Sequence, residues 1–127
     1  LSTKAAPDGL AVVGLGAAGA WALLAAALCP TSGPMGPGLR LCADLRGINV
    51  DDDTDLLGEL FAPNLRAYGD WRAAAALAAP RELTLIGAHR RIVEWAEAAY
   101  GVAGVPQALR CVEAPTTALQ SALDALR

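Results

Sequence analysis

The chain is poor in the residues that most often build metal sites and acid–base sites. Its 127 residues include one histidine, His89, and three cysteines. The cysteines Cys29, Cys42 and Cys111 are widely spaced, and no C-x-x-C pair occurs. Because structural zinc sites need four Cys or His ligands, mostly at short spacings, the sequence excludes a zinc-finger type of centre. Isolated cysteines in odd number predict buried, reduced thiols, which favours a cytoplasmic protein.

Charge is also scarce. Charged residues make up 18% of the chain, and the net charge is -3. A protein without a basic stripe is poorly suited to a phosphate backbone, so we expect no nucleic-acid partner. An uncharged run at residues 10–29 has the length of a membrane span. It contains three glycines and many alanines and lacks flanking basic clusters, so we expect no membrane association.

Hydrophobic periodicity predicts strands that alternate with helices. The strands are expected at 10–15, 39–44, 82–87 and 108–114, and the helices at 17–28, 71–79, 90–100 and from Thr117 onward. Pro80 ends the second helix, and Gly101 is expected to cap the third. This order indicates a single α/β domain over residues 1–127, with a four-stranded, mainly parallel sheet and helices on both faces.

The first predicted strand leads into a glycine-rich turn with the spacing G-x-G-x-x-G, at Gly14, Gly16 and Gly19. In a dinucleotide-binding module, such glycines let the backbone approach a pyrophosphate at the amino end of the following helix. An acidic residue at the end of the second strand would bind a ribose hydroxyl, and Asp44 stands there. One interpretation is therefore a small NAD- or NADP-binding module.

A second interpretation comes from residues 62–87, APNLRAYGDWRAAAALAAPRELTLIG. This stretch resembles the C-terminal half of α/β-hydrolases of the acetyl xylan esterase and dienelactone hydrolase type. The shared positions are Pro63, Tyr68, Gly69, Ala79, Pro80 and Arg81. In those proteins the Ala-Pro-Arg turn leads into the strand that precedes the catalytic acid. The resemblance extends over about residues 10 to 114, and it implies a three-layer sandwich in which the opening glycine turn carries the nucleophile.

The catalytic positions implied by this resemblance are empty. The family turn is Gly-x-nucleophile-x-Gly. Gly14 aligns with its first glycine and Gly16 with the nucleophile, whereas Ala18 replaces the second glycine. No carboxylate occurs at residues 88–90, where the acid is expected, and no histidine follows the fourth strand. Asp44 is an alternative acid, but an acid alone does not hydrolyse an ester.

Three function hypotheses follow. The first is a noncatalytic α/β-hydrolase-like domain, or the C-terminal half of a longer hydrolase-like protein, with a structural or partner-binding role. The second is the dinucleotide module. The third is an esterase with an atypical site. The first two differ in strand order, because a hydrolase half places its fourth strand beside the third, whereas a dinucleotide fold returns it to the free side of the first.

The remaining polar and aromatic features have simpler explanations. His89 opens a helix, and we expect it to cap that helix rather than act as a base.

The acidic cluster comprises Asp51, Asp52, Asp53 and Asp55. It departs from a calcium loop because Leu56 and Ala62 replace the required glycine and glutamate, so a solvated loop is expected. The tryptophans Trp21, Trp71 and Trp95 share no spacing and are expected to pack in the core or at an interface.

The uncharged region 10–28 is expected to be an assembly surface. Its strand lacks the charge, proline or bulge that normally protects a sheet edge, and its helix is apolar all round. We expect it to pair with a second copy, most simply as a two-fold homodimer, or with a missing N-terminal half.

Overall fold

Four parallel strands form one sheet. The computed structural model describes residues 9–31, 38–54, 58, 60–62 and 64–113. The strands are β1 (Leu10–Gly14), β2 (Leu39–Asp44), β3 (Glu82–Ile86) and β4 (Leu109–Val112). Their order in the sheet is the order in the sequence, and every neighbouring pair is parallel. The predicted α/β class and parallel sheet are confirmed.

Three α-helices connect the strands: α1 (Ala17–Leu28), α2 (Asp70–Leu77) and α3 (Arg90–Val102). Because successive strands are parallel neighbours, right-handed crossovers bring all three helices to the same face of the sheet. The helices accordingly pack in a row, α1 against α2 and α2 against α3. We predicted helices on both faces. The described helices occupy one face, and the predicted last helix, from Thr117, lies outside the described residues.

The main core lies between the sheet and this row of helices. Along β2, Leu41 and Ala43 face the helices and are buried among their apolar side chains. The alternate residue Cys42 faces the opposite side of the sheet, where it forms a small separate cluster with Ile86 of β3. Among the described helices, none combines the length and hydropathy that crossing a membrane would need.

A buried arginine ties the carboxyl end of α1 to the rest of the core. Arg81 immediately precedes β3, and its guanidinium donates to the Ala26 carbonyl at 3.0 Å and to the Cys29 carbonyl. These are carbonyls from the end of α1, where the helix dipole favours a cation. The Tyr100 hydroxyl of α3 donates to the Arg81 carbonyl at 2.6 Å, and burial raises the pKa of that hydroxyl. The Ala-Pro-Arg turn therefore has a structural role in this chain.

Candidate functional site

The turn between β1 and α1 depends on two glycines for close packing. A Cβ atom added to Gly14 would lie 2.5 Å from the Ala18 carbonyl oxygen, and one added to Gly19 would lie 2.2 Å from the Asp44 carbonyl oxygen. Both obstacles are backbone atoms, which cannot rotate away as a side chain can. These glycines let the first turn of α1 rest directly on the ends of β1 and β2.

Gly16 differs from these two glycines because its surroundings are open. Its backbone has φ 58° and ψ -138°, a conformation that L residues adopt only with strain. Its carbonyl accepts from the Gly19 N–H at 2.9 Å, which closes the turn. A Cβ atom at Gly16 would meet nothing within 4 Å. The turn thus has a strained residue with room for a side chain, at the position where the hydrolase resemblance expects a nucleophile.

Asp44 lies beneath this turn, and its carboxylate accepts hydrogen bonds from Arg46. Arg46 donates to its carboxylate through the backbone N–H at 3.1 Å, Nε at 2.9 Å and Nη2 at 2.7 Å. The hydrogen bond from the Arg46 side chain is the main cause that holds the pKa of Asp44 below its usual range. Since a carboxylate offers about four acceptor positions, these hydrogen bonds from Arg46 occupy most of them, and a ribose hydroxyl would compete with Arg46.

A cavity of about 310 Å³ opens above Gly16 at the carboxyl ends of β1 and β2. Its walls include Arg46 and Ile48 from the end of β2 and Thr54 and Leu60 from the following loop. In α/β proteins, ligands bind at this end of the parallel strands. The cavity therefore marks the place where a small ligand would contact the glycine turn.

The turn after β3 holds His89, which caps α3 as expected. Its Nδ1 accepts from the Arg91 backbone N–H at 3.3 Å, and its Nε2 lies 3.6 Å from Oδ2 of Asp51. While Nδ1 accepts from the Arg91 N–H, its lone pair is not free to remove a proton from a nucleophile.

The acidic cluster lies in a loop, where two of its carboxylates form ion pairs with arginine side chains. Asp51 lies 2.7 Å from Nη1 of Arg91, and Asp53 lies 2.9 Å from Nη2 of Arg66. Asp52 instead accepts from the backbone and hydroxyl of Thr54, and Asp55 lies outside the described residues. Within the part of the chain that the structure describes, no three His, Cys, Asp or Glu side chains are grouped so as to hold a metal ion.

Asp70 is a buried charged residue that the sequence reasoning missed. It begins α2 with φ 50°, and its carboxylate accepts from Arg72 through the backbone N–H, Nε and Nη2 at 3.0, 3.0 and 2.7 Å. The geometry repeats that of Asp44 and Arg46. The shared signal is the tripeptide Asp-x-Arg, present as DLR at 44–46 and DWR at 70–72.

Trp71 is buried in the core as expected, whereas Trp21 and Trp95 are partly exposed. The rings of Trp21 and Trp71 meet edge-on with centroids 5.9 Å apart, which joins α1 to α2. The Arg72 guanidinium lies 5.4 Å from the ring centroid of Trp95 on α3. These contacts stabilise the row of helices and do not reach the cavity above Gly16.

The cysteines are all free, but the prediction that they are buried is only partly right. Cys42 is buried and Cys29 is half-buried, whereas Cys111 is exposed. The prediction is wrong for Cys111 because β4 is an outer strand among the described strands, so its side chains have little cover. Burial, and secondarily the charge of Asp44, raises the pKa of the Cys42 thiol.

The structure thus brings the four residues of the dinucleotide interpretation together: Gly14, Gly16, Gly19 and Asp44 surround one turn. It places His89 at the start of α3, bound to the acidic loop. Comparison with protein-family models, curated proteins and solved structures finds no match for this chain.

Proposed function

We propose that the chain is a noncatalytic α/β-hydrolase-like domain, on its own or as the C-terminal half of a longer protein, with a structural or partner-binding role. The observation that carries this proposal is the turn at Gly16. It has the strained backbone of a nucleophile turn and opens into a cavity, yet it bears no side chain.

The surrounding residues support the same proposal. The fourth strand lies beside the third, as a hydrolase half requires, so the four described strands contain no reversal of order. At the turn after β3 the chain places Ala88 and the helix-capping His89 instead of a carboxylate. Asp44, the alternative acid, is neutralised by Arg46. Among the described residues, no nucleophile, base and orienting acid are therefore arranged so as to generate an attacking oxygen.

Hydrolysis of short acyl esters tests the proposal. The purified chain is expected to show the rate of a heat-killed control. The variant Gly16→Ser is expected to be equally inactive, because a serine restored at the turn would still lack a free base. Hydrolysis by the unmodified chain that persists through a second, different purification would overturn the proposal.

Dinucleotide binding is the second candidate, and the observation that favours it is the cavity lined by Gly16 at the glycine turn. NAD or NADP would lie against Gly16, since Gly14 and Gly19 are packed against backbone, and its ribose would have to displace Arg46 from Asp44. Calorimetric titration with NAD tests this role. Binding that is lost in Gly16→Val and strengthened in Arg46→Ala would favour the dinucleotide module over the hydrolase-like domain.

A further inference from the structure

The face of the sheet opposite to the three helices is apolar at its centre. Cys42 of β2 and Ile86 of β3 form a small cluster there, and Val13 of β1 packs against them. We call these three residues the second-face cluster. Because parallel strands are apolar on both sides, the sheets they form are nearly always covered on both faces. The row of α1, α2 and α3 covers one face, so the second face needs a cover of its own.

The second-face cluster is more deeply buried than its described neighbours explain. Cys42 is 3% exposed and Ile86 is 0% exposed. Side chains that stand next to one another on a pleated sheet shield each other's flanks, but their outer ends stay open unless another layer lies above them. Within the described part of the chain, the three helices and the loop residues Ile48, Val50 and Leu60 pack into the main core on the other face. The cover of Ile86 therefore comes from outside these elements.

The apolar part of this face lies beside the point where the chain leaves the sheet. Ile86 pairs in register with Val112, the last residue of β4, so both side chains lie on the same face. The charged residues Arg40 and Glu82 are paired neighbours at the amino end of this face. Because β4 ends at the apolar end, the chain that follows it can fold back over the second-face cluster without crossing the charged end.

The segment after β4 has the composition and length of such a cover. Within residues 114–127, the spacing i, i+4, i+7 puts Leu119, Leu123 and Leu126 on one side of a helix. Thr117 has the position of a helix cap. A helix from Thr117 to the last residue of the sequence would be about 16 Å long, at about 1.5 Å per residue. Four strands at about 4.8 Å spacing make the sheet about 14 Å wide, so such a helix is long enough to cross it.

The other segments outside the described residues suit this role less well. Residues 1–8 carry charges of both signs and one leucine. Residues 32–37, SGPMGP, are rich in the glycine and proline that interrupt helices. Residues 55–57, DLL, are too short to cross four strands. Residues 114–127 are therefore the segment that fits the second face best.

We propose that residues 114–127 form an amphipathic helix that lies on the second face, with Leu119, Leu123 and Leu126 against the second-face cluster. The sheet then has helices on both faces, and its second face is occupied by the chain itself. Since the contact removes three leucine side chains from water, it stabilises the fold without any partner. The inference goes beyond the noncatalytic role proposed above and does not rest on it.

Thiol labelling of Cys42 tests this contact, because Cys42 lies beneath the proposed helix. The folded chain would be treated with excess iodoacetamide, and the reaction would be followed by mass spectrometry of the tryptic peptide 41–46. Leu123→Asp places a charge on the apolar side of the segment and is expected to speed the labelling of Cys42 by at least about tenfold, since local opening of the cover controls access. Ser121→Asp places the same charge on the opposite side of the same helix and is expected to label at the rate of the unmodified chain.

Circular dichroism shows whether each variant keeps its fold. If Leu123→Asp does not fold, Leu123→Ala decides the outcome with Ser121→Ala as its control, and only the leucine variant is expected to label faster. Equal labelling rates in the leucine and serine variants would overturn the inference, as would rapid labelling of Cys42 in the unmodified chain. Protection of Cys42 that increases with protein concentration would also overturn it, because the cover would then be a second copy.

Discussion

Alanine substitutions at the glycines of the β1–α1 turn are expected to have unequal costs, and the inequality follows from the local geometry. Gly19→Ala places a Cβ atom 2.2 Å from the Asp44 carbonyl oxygen and 2.8 Å from its nitrogen. Both atoms belong to the backbone of a buried strand, so the free energy of unfolding should fall by more than about 3 kcal/mol, the upper end of ordinary overpacking. Gly14→Ala, 2.5 Å from the Ala18 carbonyl oxygen, should behave similarly.

Gly16→Ala should be milder, because its Cβ atom meets nothing within 4 Å. Its cost is confined to the strained backbone, about 1 to 2 kcal/mol. Gly101→Ala is the matched control. Gly101 lies in α3, its Cβ atom would also be free of contacts, and alanine there should stabilise the helix by about 0.5 to 1 kcal/mol.

Urea unfolding followed by tryptophan fluorescence measures the four variants on one scale. The expected order of stability is Gly101→Ala, unmodified chain, Gly16→Ala, then the two tightly packed positions. If Gly19→Ala were as stable as Gly16→Ala, α1 would not rest on the end of β2 as described.

Three further predictions concern residues outside the turn. Tyr100→Phe removes a buried hydrogen bond to the Arg81 carbonyl and should lower the free energy of unfolding by about 1 to 2 kcal/mol in the same urea assay. Asp44 has a lowered pKa when folded, so its contribution to stability should be present above the unfolded pKa of about 4 and be lost as the pH falls below it. Asp44→Asn should therefore be less stable at neutral pH and lose less stability on acidification, as urea midpoints from pH 7 to 3 would show. A disulfide reagent should modify the exposed Cys111 in the folded chain, more slowly than a free thiol because burial and Glu97 raise its pKa, and the buried Cys42 only on unfolding; equal rates by mass spectrometry would contradict the packing of β2.

The sheet could be predicted from the sequence because its strands are short apolar runs separated by clear turn signals. The ends of the helices are harder to predict from the sequence than the strands. Gly101 was predicted to cap α3, but the helix continues through it to Val102. Gly104, with φ 75°, follows the end of the helix instead. Glycine in a last helical turn and glycine just beyond it look alike in a sequence, and in the structure they differ in backbone conformation, since only Gly104 of the two has a positive φ.

The candidate site was only partly predictable for a related reason. Glycine spacing located the turn, but spacing does not reveal which glycine is packed against backbone and which is open. Asp44 was proposed as a ribose ligand or acid because it ends a strand. Its ion pair with Arg46 joins residues only two apart in the chain, a local contact that hydrophobic periodicity does not predict.

The absence of an activated nucleophile is the central claim of this account, and covalent labelling tests it most directly. The folded chain would be incubated with a fluorophosphonate, which reacts with serines activated by a neighbouring base, and its intact mass would then be measured. We predict no adduct, for either the unmodified chain or Gly16→Ser. A stoichiometric adduct on the unmodified chain that disappears when the protein is unfolded in urea would contradict the account.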